Sequence, residues 1–225
     1  MISQVFGGGG NSGSHHPNDF VELFNRGTTP VTINGDSIQY ASSSGSIDPT
    51  KLTPLTFNGT LAPGQHFFVE GNNNGATVDG TEPTPDVNNP NLAISKSDFT
   101  IFLTNSTTPL TSPTDPSIID EVGAGASPDF EGAPVPVLSS TTAATRNGNG
   151  CKDTNNNAAD FTVVPANSAT SLTIHNSMSP LAPCTPTPPP ATPEISTPAL
   201  LAVAAATIVG GGVILTGRRR RHPSA

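Results

Sequence analysis

The run DFVELFN, at residues 19–25, is the strongest strand signal in the chain. Side chains alternate along an extended segment, so Val21 and Leu23 share one face while Phe20 and Phe24 share the other. A strand that is apolar on both faces is typical of the middle of a sheet. We therefore expect residues 19–25 to form a central strand, followed by a turn at the sequence RGTTP.

Further short runs of strand-forming residues flank this one, separated by Gly, Pro and Asn. Asn34-Gly35 and Asn58-Gly59 are typical of tight turns. The runs are residues 2–6, 31–33, 37–40, 52–57, 66–70, 99–103, 118–122 and 161–164. About nine short strands, with no amphipathic helix upstream of residue 199, predict a mainly β protein built as a sandwich or a barrel.

Several motifs follow one another in a fixed order along this region. They are DFVELFN, the Asn34-Gly35 turn with Ile38 and Tyr40, LAPGQHFFV at residues 61–69, the run at 99–103, IIDEVG at 118–123 and DTNNNAADF at 153–161. Together they resemble a bacterial secreted lamin tail domain over about residues 2–165. That resemblance implies an immunoglobulin-like antiparallel β-sandwich. The chain departs from it at Asp36-Ser37, where relatives often carry a tryptophan.

Two polar loops interrupt the strands. Residues 7–18 begin with four glycines, but no Gly-Lys-Ser/Thr sequence follows, so a structural role is favoured over a phosphate site. His15 and His16 are expected to form an exposed pair rather than a metal site. Residues 71–91 contain three consecutive asparagines and few apolar residues, and we expect this loop to be mobile.

The chain is acidic, with 225 residues and a formal net charge of −8. Four of its nine basic residues lie after residue 217, so residues 1–217 hold five basic and 17 acidic residues, a net charge of −12. Such a surface repels phosphate backbones, and we expect no nucleic-acid partner. The acidic composition does not exclude the binding of cations.

An uncharged apolar run occupies residues 199–217 and is followed by four arginines, Arg218, Arg219, Arg220 and Arg221. A run of this length predicts one transmembrane helix, and arginines remain on the cytoplasmic side. We therefore expect a protein of the cell membrane and cell surface, with its bulk extracellular and its C-terminus cytoplasmic.

Four segments are expected in order: a lamin-tail-like β-sandwich at residues 1–165, an extended segment with a proline-rich stalk at 166–198, the transmembrane helix at 199–217 and a basic tail at 218–225. A bulk that lies outside the cell requires an export signal. None is visible before the first strand, so we expect a leader upstream of Met1.

Pro193 and Glu194 precede the apolar run. A short Pro-Glu motif, one hydrophobic helix and a terminal arginine cluster resemble the PEP-CTERM class of bacterial sorting tails. The resemblance implies a partner, an exosortase-type membrane enzyme that recognises and cuts the tail. Ile195 stands where that class usually has a second proline, so a permanent anchor is the alternative.

The two cysteines, Cys151 and Cys184, form an even pair in a chain expected outside the cell. A disulfide between them is expected to contribute about 3–4 kcal/mol, and two free thiols are the alternative.

The best candidate for ligand chemistry follows Cys151. Asp153, Asn155, Asn157 and Asp160 place side-chain oxygens nearly at alternate positions, loosely like a calcium loop. However, Ala158 stands where such a loop needs glycine, and no glutamate closes it. Turn capping before the strand at 161–164 is therefore favoured over calcium binding, and no other cofactor is expected.

No catalytic motif such as G-x-S-x-G or H-E-x-x-H occurs, and His66, His175 and His222 are scattered. We therefore expect a non-enzymatic surface module for adhesion, envelope structure or protein contact. Two alternatives are an accessory part of an extracellular hydrolase of nuclease or phosphoesterase type, and a calcium-dependent adhesin.

Overall fold

A computed structural model describes residues 1–184, which form two β-sheets and almost no helix. The strands are β1 Ile2–Phe6, β2 Phe20–Phe24, β3 Ser37–Ser42, β4 Thr53–Pro54, β5 His66–Glu70, β6 Val87–Asn88, β7 Phe99–Thr104, β8 Ile118–Ala124, β9 Thr142–Arg146 and β10 Phe161–Pro165. A 3-10 turn, Pro49–Lys51, and a single-turn helix, α1 Asn157–Asp160, complete the elements. The prediction of a mainly β fold is confirmed.

The larger sheet has six strands in the order β10-β9-β1-β2-β5-β6, and the smaller has four in the order β4-β3-β7-β8. All neighbours are antiparallel except β5 and β6, which are parallel. Apolar side chains from both sheets meet in one buried cluster. Its strand members include Ile2, Val5, Val21, Leu23, Ile38, Tyr40, Phe67, Val69, Phe99, Ile101, Leu103 and Val122.

Strand β2 lies in the middle of the larger sheet, between β1 and β5. Val21 and Leu23 enter the core between the sheets. Phe20 points to the opposite face, where it packs with Phe6 and Phe68 in a second buried cluster. The expectation of a central strand that is buried on both faces is therefore confirmed.

This second cluster is covered by residues 166–184, here called the strap. Ala166 and Leu172 of the strap are buried against the phenylalanines of the outer face. Near its end, the backbone N–H of Ala182 donates to the carbonyl of Gly64 at 2.9 Å. The compact unit thus continues past the expected boundary at residue 165, because the outer face is too apolar to remain open to water.

The strap is also fixed covalently. Cys151 and Cys184 form a disulfide, with 5.7 Å between their Cα atoms, and no free cysteine occurs among the described residues. The bond joins the end of the strap to the turn that follows β9.

Some expected strands are shorter in the structure, and two strands, β6 and β9, lie outside the runs that the sequence indicates. Residues 31–33 contribute only an isolated bridge between Val31 and Leu61, and residues 52–57 contribute only β4. Strand β9, TAATR, is not evident from the sequence because alanine is depleted in strands and the run contains no Val, Ile or aromatic residue. Ala143 and Ala144 are nevertheless fully buried, since small side chains fit between the neighbouring layers.

The loop at residues 71–91, expected to be mobile, contains β6 and is hydrogen-bonded to the rest of the unit at several points. The carbonyl of Asn72 accepts from the backbone of Asp19 at 2.8 Å, and the N–H of Gly80 donates to the carbonyl of His15 at 2.9 Å. These hydrogen bonds are formed by main-chain groups, so they could not be predicted from the polar composition of the loop.

The glycine-rich loop is packed rather than open. A Cβ on Gly9 would lie 1.8 Å from the carbonyl carbon of Asn18, so only glycine fits there. The expected exposure of the histidine pair is wrong: His16 is 3% exposed and lies edge-on to Phe6 and Phe20. The side chain of His15 is 12% exposed.

Several predictions fall on residues outside the described part of the chain. They are the proline-rich stalk, the Pro193-Glu194 motif, the transmembrane helix at 199–217 and the arginines at 218–221. Within residues 1–184, no helix is long and apolar enough to cross a membrane.

Candidate functional site

Three of the four side chains of the expected calcium loop, those of Asp153, Asn157 and Asp160, make contacts within the fold. Asp160 is fully buried, and its carboxylate accepts hydrogen bonds from the backbone of Thr154 at 2.6 Å and of Asn156 at 3.3 Å. Burial favours the neutral acid, but these hydrogen bonds outweigh it and hold the pKa of Asp160 below its usual range. Asp153 forms an ion pair with Arg26 at 3.0 Å.

The other two members of the loop point to different places. Oδ1 of Asn157 accepts from the backbone of Gly123 at 2.9 Å, which ties α1 to strand β8. Asn155 is exposed and adopts a left-handed conformation with φ of 53°. This arrangement supports the turn-capping interpretation. Calcium binding itself stays a hypothesis.

A different cluster brings together Glu22, His66 and His175 on the outer face of the larger sheet. Glu22 lies in β2 and alternates with the core residues Val21 and Leu23, so its side chain points away from the core. His66 begins β5, the neighbouring strand, where it pairs with Phe24. His175 comes from the strap, which passes over both strands.

The carboxylate of Glu22 contacts both histidines of this cluster. Its Oε1 lies 2.8 Å from Nδ1 of His66, and its Oε2 lies 3.3 Å from Nδ1 of His175. The two imidazole rings are stacked, with 4.4 Å between their centroids and 25° between their planes. The side chains of Glu22 and His66 are almost fully buried, whereas that of His175 is 33% exposed.

Two further donors orient the carboxylate. Ser3 Oγ donates to Oε1 of Glu22 at 2.8 Å, and the backbone N–H of His175 donates to Oε2 at 2.7 Å. Burial alone favours a neutral Glu22, but the hydrogen bonds from His175 and His66 outweigh it and hold the pKa of Glu22 below its usual range. The hydrogen bond to Glu22 in turn raises the pKa of His175.

The cluster lines a cavity of about 440 Å³ between the sheet and the strap. Arg146 is the other charged residue in its lining. The guanidinium is fully buried and is paired with Asp120 at 3.1 Å, so its charge is balanced within the fold. The cavity therefore presents one carboxylate and two imidazoles to whatever enters it.

The sequence analysis did not identify this cluster, although one signal for part of it is present. A glutamate in the middle of an otherwise apolar central strand is a signal, because a buried carboxylate needs partners. The identity of those partners was not visible, since Glu22 and His175 are separated by 153 residues. In the sequence alone, His66 and His175 therefore look scattered.

Comparison of the chain with family models, with curated proteins and with solved structures found no match. The resemblance to lamin tail domains and to PEP-CTERM tails therefore stays a prediction from the sequence motifs.

Proposed function

We propose that this chain is a non-enzymatic module of the bacterial cell surface, with an immunoglobulin-like β-sandwich that serves adhesion, envelope structure or protein contact. The observation that carries the proposal is the Cys151–Cys184 disulfide. Disulfides form and persist in oxidising compartments such as the periplasm and the cell exterior, and they are rare in the cytosol.

The architecture is consistent with this role. The two sheets enclose one core, and the strap covers the apolar outer face of the larger sheet. The disulfide links the end of the strap to the turn after β9. Both histidines of the outer-face cluster, His66 and His175, contact Glu22 rather than a hydroxyl nucleophile, which favours binding over covalent catalysis.

The attachment of the module rests on the sequence beyond residue 184. The apolar run at 199–217 and the arginines at 218–221 would anchor the chain with its bulk outside the cell. Pro193 and Glu194 would mark a sorting cleavage, which a membrane enzyme of the exosortase type would carry out.

Labelling of intact native cells with a membrane-impermeant amine reagent tests this location. Lys96 and Lys152 are exposed on the compact unit and serve as reporters. We expect both to be labelled in intact cells, while an abundant cytosolic protein in the same sample stays unlabelled. Labelling of these lysines only after lysis would contradict the proposal.

A further inference from the structure

Glu22, His66 and His175 form the one group, among the residues that the structure describes, in which three metal-ligating side chains converge. A carboxylate oxygen and one ring nitrogen from each histidine all lie within 4.8 Å of one another. We propose that this cluster is a binding site for a transition-metal dication of the zinc class.

The spacing of the ligand atoms is close to what a tetrahedral ion requires. Zinc lies about 2.0–2.2 Å from imidazole nitrogens and carboxylate oxygens, which puts two ligands of a tetrahedron about 3.4 Å apart. Nδ1 of His66 lies 2.8 Å from Oε1 of Glu22, and Nδ1 of His175 lies 3.3 Å from Oε2, with one ligand atom from each residue within 4.8 Å of the others. A metal ion lies close to the plane of each imidazole that binds it, so the two stacked rings must rotate apart when an ion enters. The ion then replaces the protons of the two contacts, which pass to solvent.

The donor set selects the class of metal. Two imidazoles and one carboxylate match the ligands that zinc and its neighbours in the first transition row prefer. Calcium and magnesium prefer six or more oxygen ligands, which this cluster does not offer.

The carboxylate is held in place by groups that do not depend on the rings. Ser3 Oγ donates to one oxygen of Glu22, and the backbone N–H of His175 donates to the other. Each oxygen keeps a second acceptor position for the ion. Such donors commonly orient the ligands of a metal site and raise its affinity.

Glu22, His66 and His175 line the cavity of about 440 Å³, so an ion that they hold has space beside it for a fourth ligand. Three protein ligands with one open position are the arrangement of zinc sites that also hold water or an external ligand. The cavity is large enough for a water molecule at that position.

The test uses the purified full chain without a histidine tag, stripped of metal with a chelator. Calorimetric titration with zinc chloride is expected to show one ion bound per chain. Titration with cobalt(II) is expected to give the intense visible absorption of a tetrahedral ion. A weak octahedral spectrum, or calcium binding as tightly as zinc, would overturn the proposal.

Three variants assign the binding to the cluster. Glu22→Gln keeps the size of the side chain, and His175→Ala changes a ring that is one-third exposed, so both are expected to fold. Each is expected to weaken zinc binding by about 10-fold or more. His15→Ala is the matched control, because His15 lies outside this cluster, where its Nδ1 contacts Asp79 at 2.9 Å. This variant should leave the affinity for zinc unchanged. Equal affinity in native protein and in folded His175→Ala overturns the assignment.

Discussion

Removal of the disulfide is expected to lower the free energy of unfolding by about 4 kcal/mol. Cys151 and Cys184 are 33 residues apart, and the entropy that a cross-link of this length removes from the unfolded chain corresponds to about that value. Typical domains are stable by about 5–15 kcal/mol, so the loss is a large share of the total. The folded strap keeps other contacts, including the bond from Ala182 to Gly64. We therefore expect the effect to arise mainly in the unfolded state.

Circular dichroism monitors the urea unfolding of two proteins, the oxidised full chain and the Cys151→Ser, Cys184→Ser double variant. The native chain, reduced and alkylated, is the control for the serine side chains and should match the double variant. If the free energies of unfolding of the two proteins differ by less than about 1 kcal/mol, and the slope of that free energy against urea concentration is the same, the cross-link does not constrain the unfolded chain.

The remaining predictions concern buried polar groups. Burial, assisted by the nearby His15, lowers the pKa of His16 to about 4, and neither of its ring nitrogens has a hydrogen-bond partner among the described residues. In the unfolded chain, the imidazole of His16 takes up a proton near pH 6.5, whereas in the folded chain it does so only near pH 4. The free energy of unfolding is therefore highest above pH 6.5 and falls by up to about 3 kcal/mol as the pH drops toward 4. His16→Leu should remove this loss, and parallel curves of unfolding free energy against pH for the two proteins would contradict it. Asp120→Asn leaves the fully buried Arg146 with only the more distant carboxylate of Asp153, at 3.5 Å, and should cost about 3 kcal/mol in chemical unfolding, whereas a cost below about 1 kcal/mol would mean that the Asp120 pair is dispensable. Asp160→Ala removes the cap of the Thr154 turn and should cost about 2 kcal/mol with or without calcium. Stabilisation of the native chain by calcium that this variant lacks would instead support the adhesin hypothesis.

Alternation along the strands made the centre of the fold predictable. DFVELFN has apolar residues on both faces, and it is the strand that the structure places between β1 and β5. Strand β9 could not be predicted, because its alanines are buried for reasons of fit and not of strand propensity. The strap could not be predicted either, since its burial depends on an apolar face that Phe6, Phe20 and Phe68 form only in the folded sheet.

The candidate site was less accessible to sequence reasoning. The spaced oxygens from Asp153 to Asp160 gave a local pattern, and the structure uses them to close turns and to tie α1 to the sheet. The cluster at Glu22 has no local pattern, because its members come from two strands and the strap. The buried charge of Glu22 was its only sequence signal.

The central claim, export of a disulfide-stapled surface module, is tested most directly by the intact mass of the protein from native cells, measured after alkylation without reduction. We expect neither Cys151 nor Cys184 to carry the alkylating group, and a mass two hydrogens below that of the dithiol chain. A C-terminus near Glu194 would show cleavage of the tail, and an intact C-terminus would show a permanent anchor. Alkylation of both cysteines without reduction would contradict the account, because a chain with two free thiols fits a reducing compartment.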